Sequence, residues 1–154
     1  MNEEMGLTGT IEYKVWDKDG YLKDEGVYHN FIADGLKTLV IDLMNGTSVV
    51  TVKAMAVGTG AVQINTDTAL TTLVSYNNDS GSSATPIFTD SQPSANALKF
   101  VATFGCDNAA GWVLTEAGLF SVDGCASGMA AYATIANTLA LADSIQLTWT
   151  LTFT

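Results

Sequence analysis

The chain opens on a stretch of strict alternation. Ile11, Tyr13 and Val15 fall on one side of residues 10–16, and Thr10, Glu12 and Lys14 on the other. A period of two marks a half-buried β-strand, because successive side chains point to opposite faces of a sheet. Asp17-Lys18-Asp19-Gly20 then supplies turn formers, with Gly20 free to take positive φ. Extended character resumes from Tyr21 to Phe31, so residues 10–31 predict a β-hairpin. Residues 1–9 read as a flexible N-terminal arm, and residues 10–154 as a single domain.

The period then changes. Leu36, Leu39, Val40, Leu43 and Met44 recur at intervals of three and four, which is helical spacing. Asp34 stands at the N-cap position and Asn45-Gly46 at the stop, which predicts one short helix near residues 34–45. Val49 to Val57 predicts a strand ended by Gly58-Thr59-Gly60. Residues 61–76 have two readings: Asp67 caps a short helical turn through Leu73, or the stretch lies as a loop on the sheet. Residues 77–96, rich in Asn, Asp, Ser and Pro, predict a long surface excursion.

Strand signals become dense from Ala97. Leu98 to Gly105, Trp112 to Ser121, Met129 to Ala136 and Ser144 to Phe153 are separated by Gly, Asp, Asn and Ser. The last run sets Ile145, Leu147, Trp149, Leu151 and Phe153 against Gln146, Thr148, Thr150 and Thr152. Seven or so strands with one helix predict an all-β fold, a β-sandwich with jelly-roll or Greek-key connections.

Composition narrows the functions such a sandwich can have. Of 154 residues, 47% are hydrophobic and only 14% charged, against a usual charged share of about a quarter. Such a chain can bury a core, but its exterior is short of charge, so part of it is expected to be covered by other protein. The net charge is −10, all six basic residues are lysines, and there is no arginine. Phosphate neutralisation needs clustered Lys and Arg, so nucleic-acid binding and a polybasic membrane anchor are disfavoured. No apolar run approaches the roughly 20 residues that span a bilayer, and Met1-Asn2-Glu3-Glu4 lacks the order of a signal peptide. The expectation is a soluble protein made in a cytoplasm.

Candidate chemistry is sparse, and neither a catalytic centre nor a cofactor or metal is expected. His29, the only histidine, sits in Tyr28-His29-Asn30-Phe31 without a recognisable nucleophile beside it. Asp17-Lys18-Asp19-Gly20 resembles the start of a calcium loop, but Leu22 and Tyr28 occupy the sixth and twelfth positions, where Gly and an acid are required. Gly58-Thr59-Gly60 lacks the later glycine or the Gly-Lys-Ser/Thr of a phosphate loop. Cys106 and Cys125 flank a strand that would hold them about 30 Å apart, beyond disulfide reach, so both are expected as thiols.

Glu116 is the exception. It is the one charge in Trp112-Val113-Leu114-Thr115-Glu116-Ala117-Gly118-Leu119-Phe120, and alternation puts it on a face with Leu114, Gly118 and Phe120. A carboxylate there must be hydrogen-bonded or paired. The favoured reading is a buried anchor accepting backbone N–H bonds from a neighbouring loop or subunit; the alternative is a catalytic acid with a raised pKa.

Met55-Ala56-Val57-Gly58-Thr59-Gly60, Asp67-Thr68-Ala69-Leu70, Thr115-Glu116-Ala117-Gly118-Leu119-Phe120 and Leu147-Thr148-Trp149-Thr150-Leu151-Thr152-Phe153 together resemble a pattern found in tailed-bacteriophage virion structural proteins. The resemblance runs from about residue 50 to the end and is strongest to capsid decoration (cement) proteins. It implies a homo-oligomer, a trimer or similar ring, seated on the outer capsid surface and bridging subunits of the major capsid protein. Proteins with this pattern often carry a basic residue in the next strand; Met129-Ala130-Ala131-Tyr132 has none, which counts against a buried ion pair for Glu116. The hairpin at 10–31 has no counterpart in the pattern. A tail, baseplate or fibre component is the alternative within the same class. A carbohydrate-binding module would need Trp16, Trp112 and Trp149 as an exposed platform, against the alternation that places Trp149 in the core.

Overall fold

The computed structural model describes residues 6–46, 51–61, 63–78, 88–122 and 124–154. Among the described residues, ten strands and one helix follow in the order β1 (Leu7–Trp16), β2 (Leu22–His29), β3 (Phe31–Ile32), α1 (Asp34–Asn45), β4 (Ala54–Gly58), β5 (Leu73–Asn78), β6 (Phe88–Ser94), β7 (Ala97–Gly105), β8 (Trp112–Phe120), β9 (Met129–Leu139) and β10 (Ser144–Phe153). They form two antiparallel five-stranded sheets, ordered β2-β1-β10-β7-β6 and β3-β9-β8-β4-β5. The predicted all-β sandwich is present. Hairpins (β1/β2, β4/β5, β6/β7, β8/β9) stay within a sheet, the β2–β3, β5–β6, β7–β8 and β9–β10 connections cross between sheets, and α1 joins β3 to β4 of the same sheet.

The alternating runs behave as their period demands. Ile11 and Val15 of β1 and Ile145, Leu147, Trp149 and Leu151 of β10 all turn into the core between the sheets. They meet Phe100 and Phe104 of β7 on their own sheet and Met55, Ala117, Leu119 and Ile135 from the other. Trp149 is fully buried, and each large side chain enclosed this way contributes about 2–3 kcal/mol. The first strand pairs with the last along its whole length, from Leu7↔Phe153 to Trp16↔Ser144. Residues 7–9, expected in a flexible arm, are therefore strand; residues 1–5 of that arm lie outside the described residues.

At the hairpin turn the Asp17 carboxylate accepts N–H bonds from Asp19 (2.9 Å) and Tyr21 (3.0 Å), and Gly20 takes φ +84°. The acidic cluster is a turn device that satisfies backbone donors. Past the turn, β2 ends at His29 and the chain switches sheets through Asn30, a break the period does not reveal. The helix stops at Gly46 in the left-handed region (φ +64°), as expected, but its N-cap is Ala33, with no side-chain cap. Asp34 lies inside the first turn, where it favours the helix dipole and pairs with Lys37 at 2.7 Å.

Other boundaries differ from expectation. The strand predicted from Val49 starts at Ala54, and Val49 and Val50 lie outside the described residues. Residue 61 and residues 63–72 are a loop on the sheet rather than a helical turn, and Asp67 closes a local turn by accepting the N–H of Ile64 (2.8 Å). Within the predicted excursion, residues 88–94 form β6, an edge strand on β7. The strands around Cys106 and Cys125 are not a simple meander, since β7 and β8 belong to different sheets. The two cysteines are nonetheless buried and not disulfide-bonded, as expected.

A corner latch holds the β9–β10 turn to the edge strand β2. The buried Asp143 carboxylate accepts from the Ala140 N–H (2.9 Å) and from Lys23 Nζ (2.6 Å), while its carbonyl accepts the Cys106 N–H (2.8 Å). The Lys23 ammonium, helped by the Ala140 N–H, holds the Asp143 carboxyl below the usual aspartate value. A depressed native pKa means the unfolded chain binds the proton more readily, so this stabilisation is complete above the ordinary aspartate range and fades as pH falls through the native value. Asp143→Asn should cost about 1 kcal/mol at pH 7, the Lys23 end being open to solvent. Urea denaturation should find the gap between variant and parent closing in acid below about pH 4; a gap that held constant in acid would contradict the latch.

Candidate functional site

The group singled out in the sequence, Glu116, is 1% exposed and lies on β8 opposite Gly58 of β4 and Thr134 of β9. Its neighbours differ from simple alternation. A register shift between Leu114 and Glu116 sets the single residue Thr115 of β8 against two residues of β9, Ile135 and Ala136. Leu114 consequently joins Ala117 and Leu119 in the core between the sheets, whereas Phe120 belongs to a second apolar cluster on the opposite face. A bulge of this kind re-aims a side chain. Glu116 thus points with Gly118 and Phe120 to the outer side of its sheet, not with Leu114.

That outer face is covered by a loop, described at residues 59–61 and 63–72, and the carboxylate is what the loop is attached to. Glu116 Oε1 accepts the N–H groups of Gly60 (2.9 Å) and Thr72 (2.7 Å). Oε2 accepts the N–H of Thr71 (3.0 Å) and the side-chain amide of Gln63. The Thr115 hydroxyl donates to the Gly60 carbonyl at 2.7 Å, adding a bond beside the carboxylate. A carboxylate offers acceptors only, on two oxygens, which suits four converging donors. The loop approaches so closely that a Cβ on Gly60 would lie 2.5 Å from Oε1 and equally close to Cβ of Thr71. Gly58-Thr59-Gly60, with its superficial likeness to a phosphate loop, is glycine-rich to admit an internal carboxylate.

The loop covers small residues. Ala54 and Ala56 of β4, Ala33 before α1, and Leu70, Phe120, Cys125, Met129 and Tyr132 form the second cluster. The loop is pinned at two further points, its Asn65 carbonyl accepting the Asp34 N–H (2.9 Å) and its Thr68 carbonyl the Met129 N–H (3.0 Å). Tyr132 donates to Asn65 Oδ1 at 2.8 Å and stacks on Phe31 at 5.2 Å. Burial pushes its phenol pKa upward.

The other candidates are placed as follows. Trp112 and Trp149 are buried core residues and Trp16 is half-buried, so the three do not make a sugar-stacking platform. His29 is exposed at the end of β2 opposite Thr10, while Cys106 and Cys125 are buried. Tyr13 and Tyr28, not singled out from sequence, form a stacked pair at 4.8 Å on β1 and β2. The Tyr28 hydroxyl crosses to the other sheet, accepting the Ala136 N–H and lying 3.1 Å from the Ala136 carbonyl and Asn137 Oδ1. The Tyr13 phenol donates to Asp24 Oδ2 (3.2 Å), and burial followed by the neighbouring Tyr28 and Asp24 pushes its pKa up to about 12.

Comparison of the chain with models of known families, with curated proteins and with solved structures found no match.

Chemically, the Glu116 arrangement can fasten a loop. Its oxygens are enclosed and engaged, whereas proton transfer to a substrate needs an oxygen the substrate can reach. Glu116→Ala should leave several donors buried without an acceptor and lower stability by about 3–5 kcal/mol. Glu116→Gln, which retains one acceptor oxygen, should lose about 1–3 kcal/mol. Guanidinium denaturation of both variants tests this; near-parental stability of the alanine variant would show the clamp to be dispensable.

Proposed function

We propose that the chain is a capsid decoration protein of a tailed bacteriophage, binding the outer surface of the shell and bridging neighbouring subunits of the major capsid protein. The observation that carries the reading is the fate of Glu116. It stands in the very motif that bears the resemblance to virion proteins, and it is taken up by internal bonds. What such a sandwich has left to offer is surface.

The surface suits contact with protein. Large apolar side chains stand exposed at several places, among them Tyr21, Val113 and Met44, on an exterior short of charge. The edge strand β5 is six residues long with neither charge nor proline. Natural edges are commonly blunted by such residues, and an unblunted one accepts an added strand. The edge strand β6, by contrast, carries Asp90 and Pro93. A decoration protein needs no catalysis, only about 800 Å² of buried surface per partner, repeated over the lattice. On this reading the chain works on the virion surface after synthesis in the host cytoplasm, as a homo-oligomer, and uses no cofactor.

Stoichiometry decides the matter. In purified particles, a stained gel calibrated against the major capsid protein should give the chain in hundreds of copies. A handful of copies would move it to the tail, baseplate or fibre, and its absence from particles would overturn the virion assignment altogether.

A further inference from the structure

We infer that residues 63–72 form a strap that lifts off the second sheet as one cooperative unit while both sheets stay folded. The strap belongs to the connection between the neighbouring strands β4 and β5. Where those strands diverge, the Thr59 N–H donates to the Thr72 carbonyl at 3.0 Å. The base of the connection is therefore closed whether or not the strap lies on the sheet, and lifting breaks no strand pairing. A loop whose ends are close is a compact unit of its own.

What holds the strap down differs from what holds the sheets together. Its one buried apolar side chain among the described residues is Leu70, which lies over Gly118 of β8. Ile64 is exposed. The other ties are polar. Thr71, Thr72 and the Gln63 amide donate to Glu116, and the Asn65 and Thr68 carbonyls take the N–H groups of Asp34 and Met129. Each of these groups finds water once released, so parting them costs far less than exposing a core strand. By contrast, β10 is paired on both sides and sends Ile145, Leu147, Trp149 and Leu151 into the core.

Internal bonds travel with the strap and make it one unit. Asp67 donates its N–H to the Ile64 carbonyl (2.9 Å) and accepts the Ile64 N–H on Oδ2 (2.8 Å), which closes a turn. Gln63 Nε2 donates to Thr71 Oγ1 at 2.8 Å and so joins the two ends. The external ties reach β8 through Glu116, α1 through Asp34 and β9 through Met129. The Asp34 N–H lies in the first turn of a helix, where no intrahelical acceptor exists, and α1 has no side-chain cap. The strap is thus the shared partner of the Glu116 carboxylate and the start of α1, and loss of either tie shifts the same equilibrium. Lifted, it bares the cluster that includes Ala54, Ala56 and Phe120.

The strap does not depend on the virion assignment, and the test uses the full chain alone. Native-state amide hydrogen exchange, read by NMR through a series of sub-denaturing guanidinium concentrations, separates local from global opening. The Thr71, Thr72, Asp34 and Met129 amides should share one level of protection, at least about tenfold below that of Leu147 and Trp149. Their protection should fall only slightly with denaturant, because lifting exposes little surface. Glu116→Gln removes bonds that lifting breaks, so it should speed exchange at the four amides by about fivefold or more. Asp143→Asn weakens a latch present in both the closed and the lifted forms. It should speed Leu147 and Trp149 by about fivefold and leave the four unchanged. The parental series decides the question even where a variant folds poorly. Four amides with separate levels of protection, or four that match Leu147 and Trp149 in protection and slope, would overturn the inference. So would four amides unmoved by Glu116→Gln, or an Asp143→Asn variant that accelerates all six alike.

Discussion

One buried carboxylate determines whether the second sheet has an outside. β4 is buried on both faces. Its inner face is secured by apolar packing against the first sheet, but its outer face is covered by an irregular loop whose only buried apolar side chain among the described residues is Leu70. Such a loop cannot be held by hydrophobic contact alone, and its backbone donors must be satisfied once it lies on the sheet. Glu116 meets both needs together, gathering Gly60, Gln63, Thr71 and Thr72 onto two oxygens. An amide at this position would aim its own hydrogens at one of these donors. The register shift at Thr115, opposite the extra residue of β9, is the backbone feature that lets β8 feed Leu114 to one core and Glu116 to the other side.

Where one face of a strand is buried and the other is wet, the sequence is transparent. β1 and β10 alternate over their length, and their inward residues and the hairpin turn after β1 follow from that period, whereas their pairing with each other does not. The signal fails for two opposite reasons elsewhere. β4 is enclosed on both sides, so its residues lose alternation and only its apolar character is readable. β6, with Thr89, Asp90, Ser91, Gln92 and Pro93, is an edge strand with almost nothing to bury and looks like a loop. The short β3 owes its existence to Phe31 and Ile32 pairing with Tyr132 and Ala131, a contact about a hundred residues distant that no local pattern encodes.

The site is half legible by the same logic. A lone charge within an apolar strand is a physical contradiction that demands partners, and this identifies Glu116 as an anchor. The partners themselves lie 44 to 56 residues away in sequence, so the loop they belong to is not readable. Alternation also adds one wrong companion, Leu114, to the right ones, Gly118 and Phe120, because the register shift reverses facing without leaving a mark in the residue types. Trp149 shows the opposite case: its neighbours at two-residue spacing, Leu147 and Leu151, are aliphatic, and it lies with them in the core.

Charge scarcity links the interior to the exterior. Among the described residues, Lys23 and Lys37 are engaged with Asp143 and Asp34, which leaves little positive charge to offset sixteen acids. Self-repulsion at −10 is felt over about one Debye length and weakens with salt, so it acts as a filter on which faces can associate, not as a bar to association. Faces rich in Thr, Ser and Ala pass the filter, and the rim that joins Gly6 to Thr154 does so with an apolar groove and a lysine beside it. Because β1 and β10 pair to their ends, that rim is rigid. The described strands of that rim are already ordered, so contact with them loses less entropy on association, which is the condition under which a modest apolar patch suffices for specific contact.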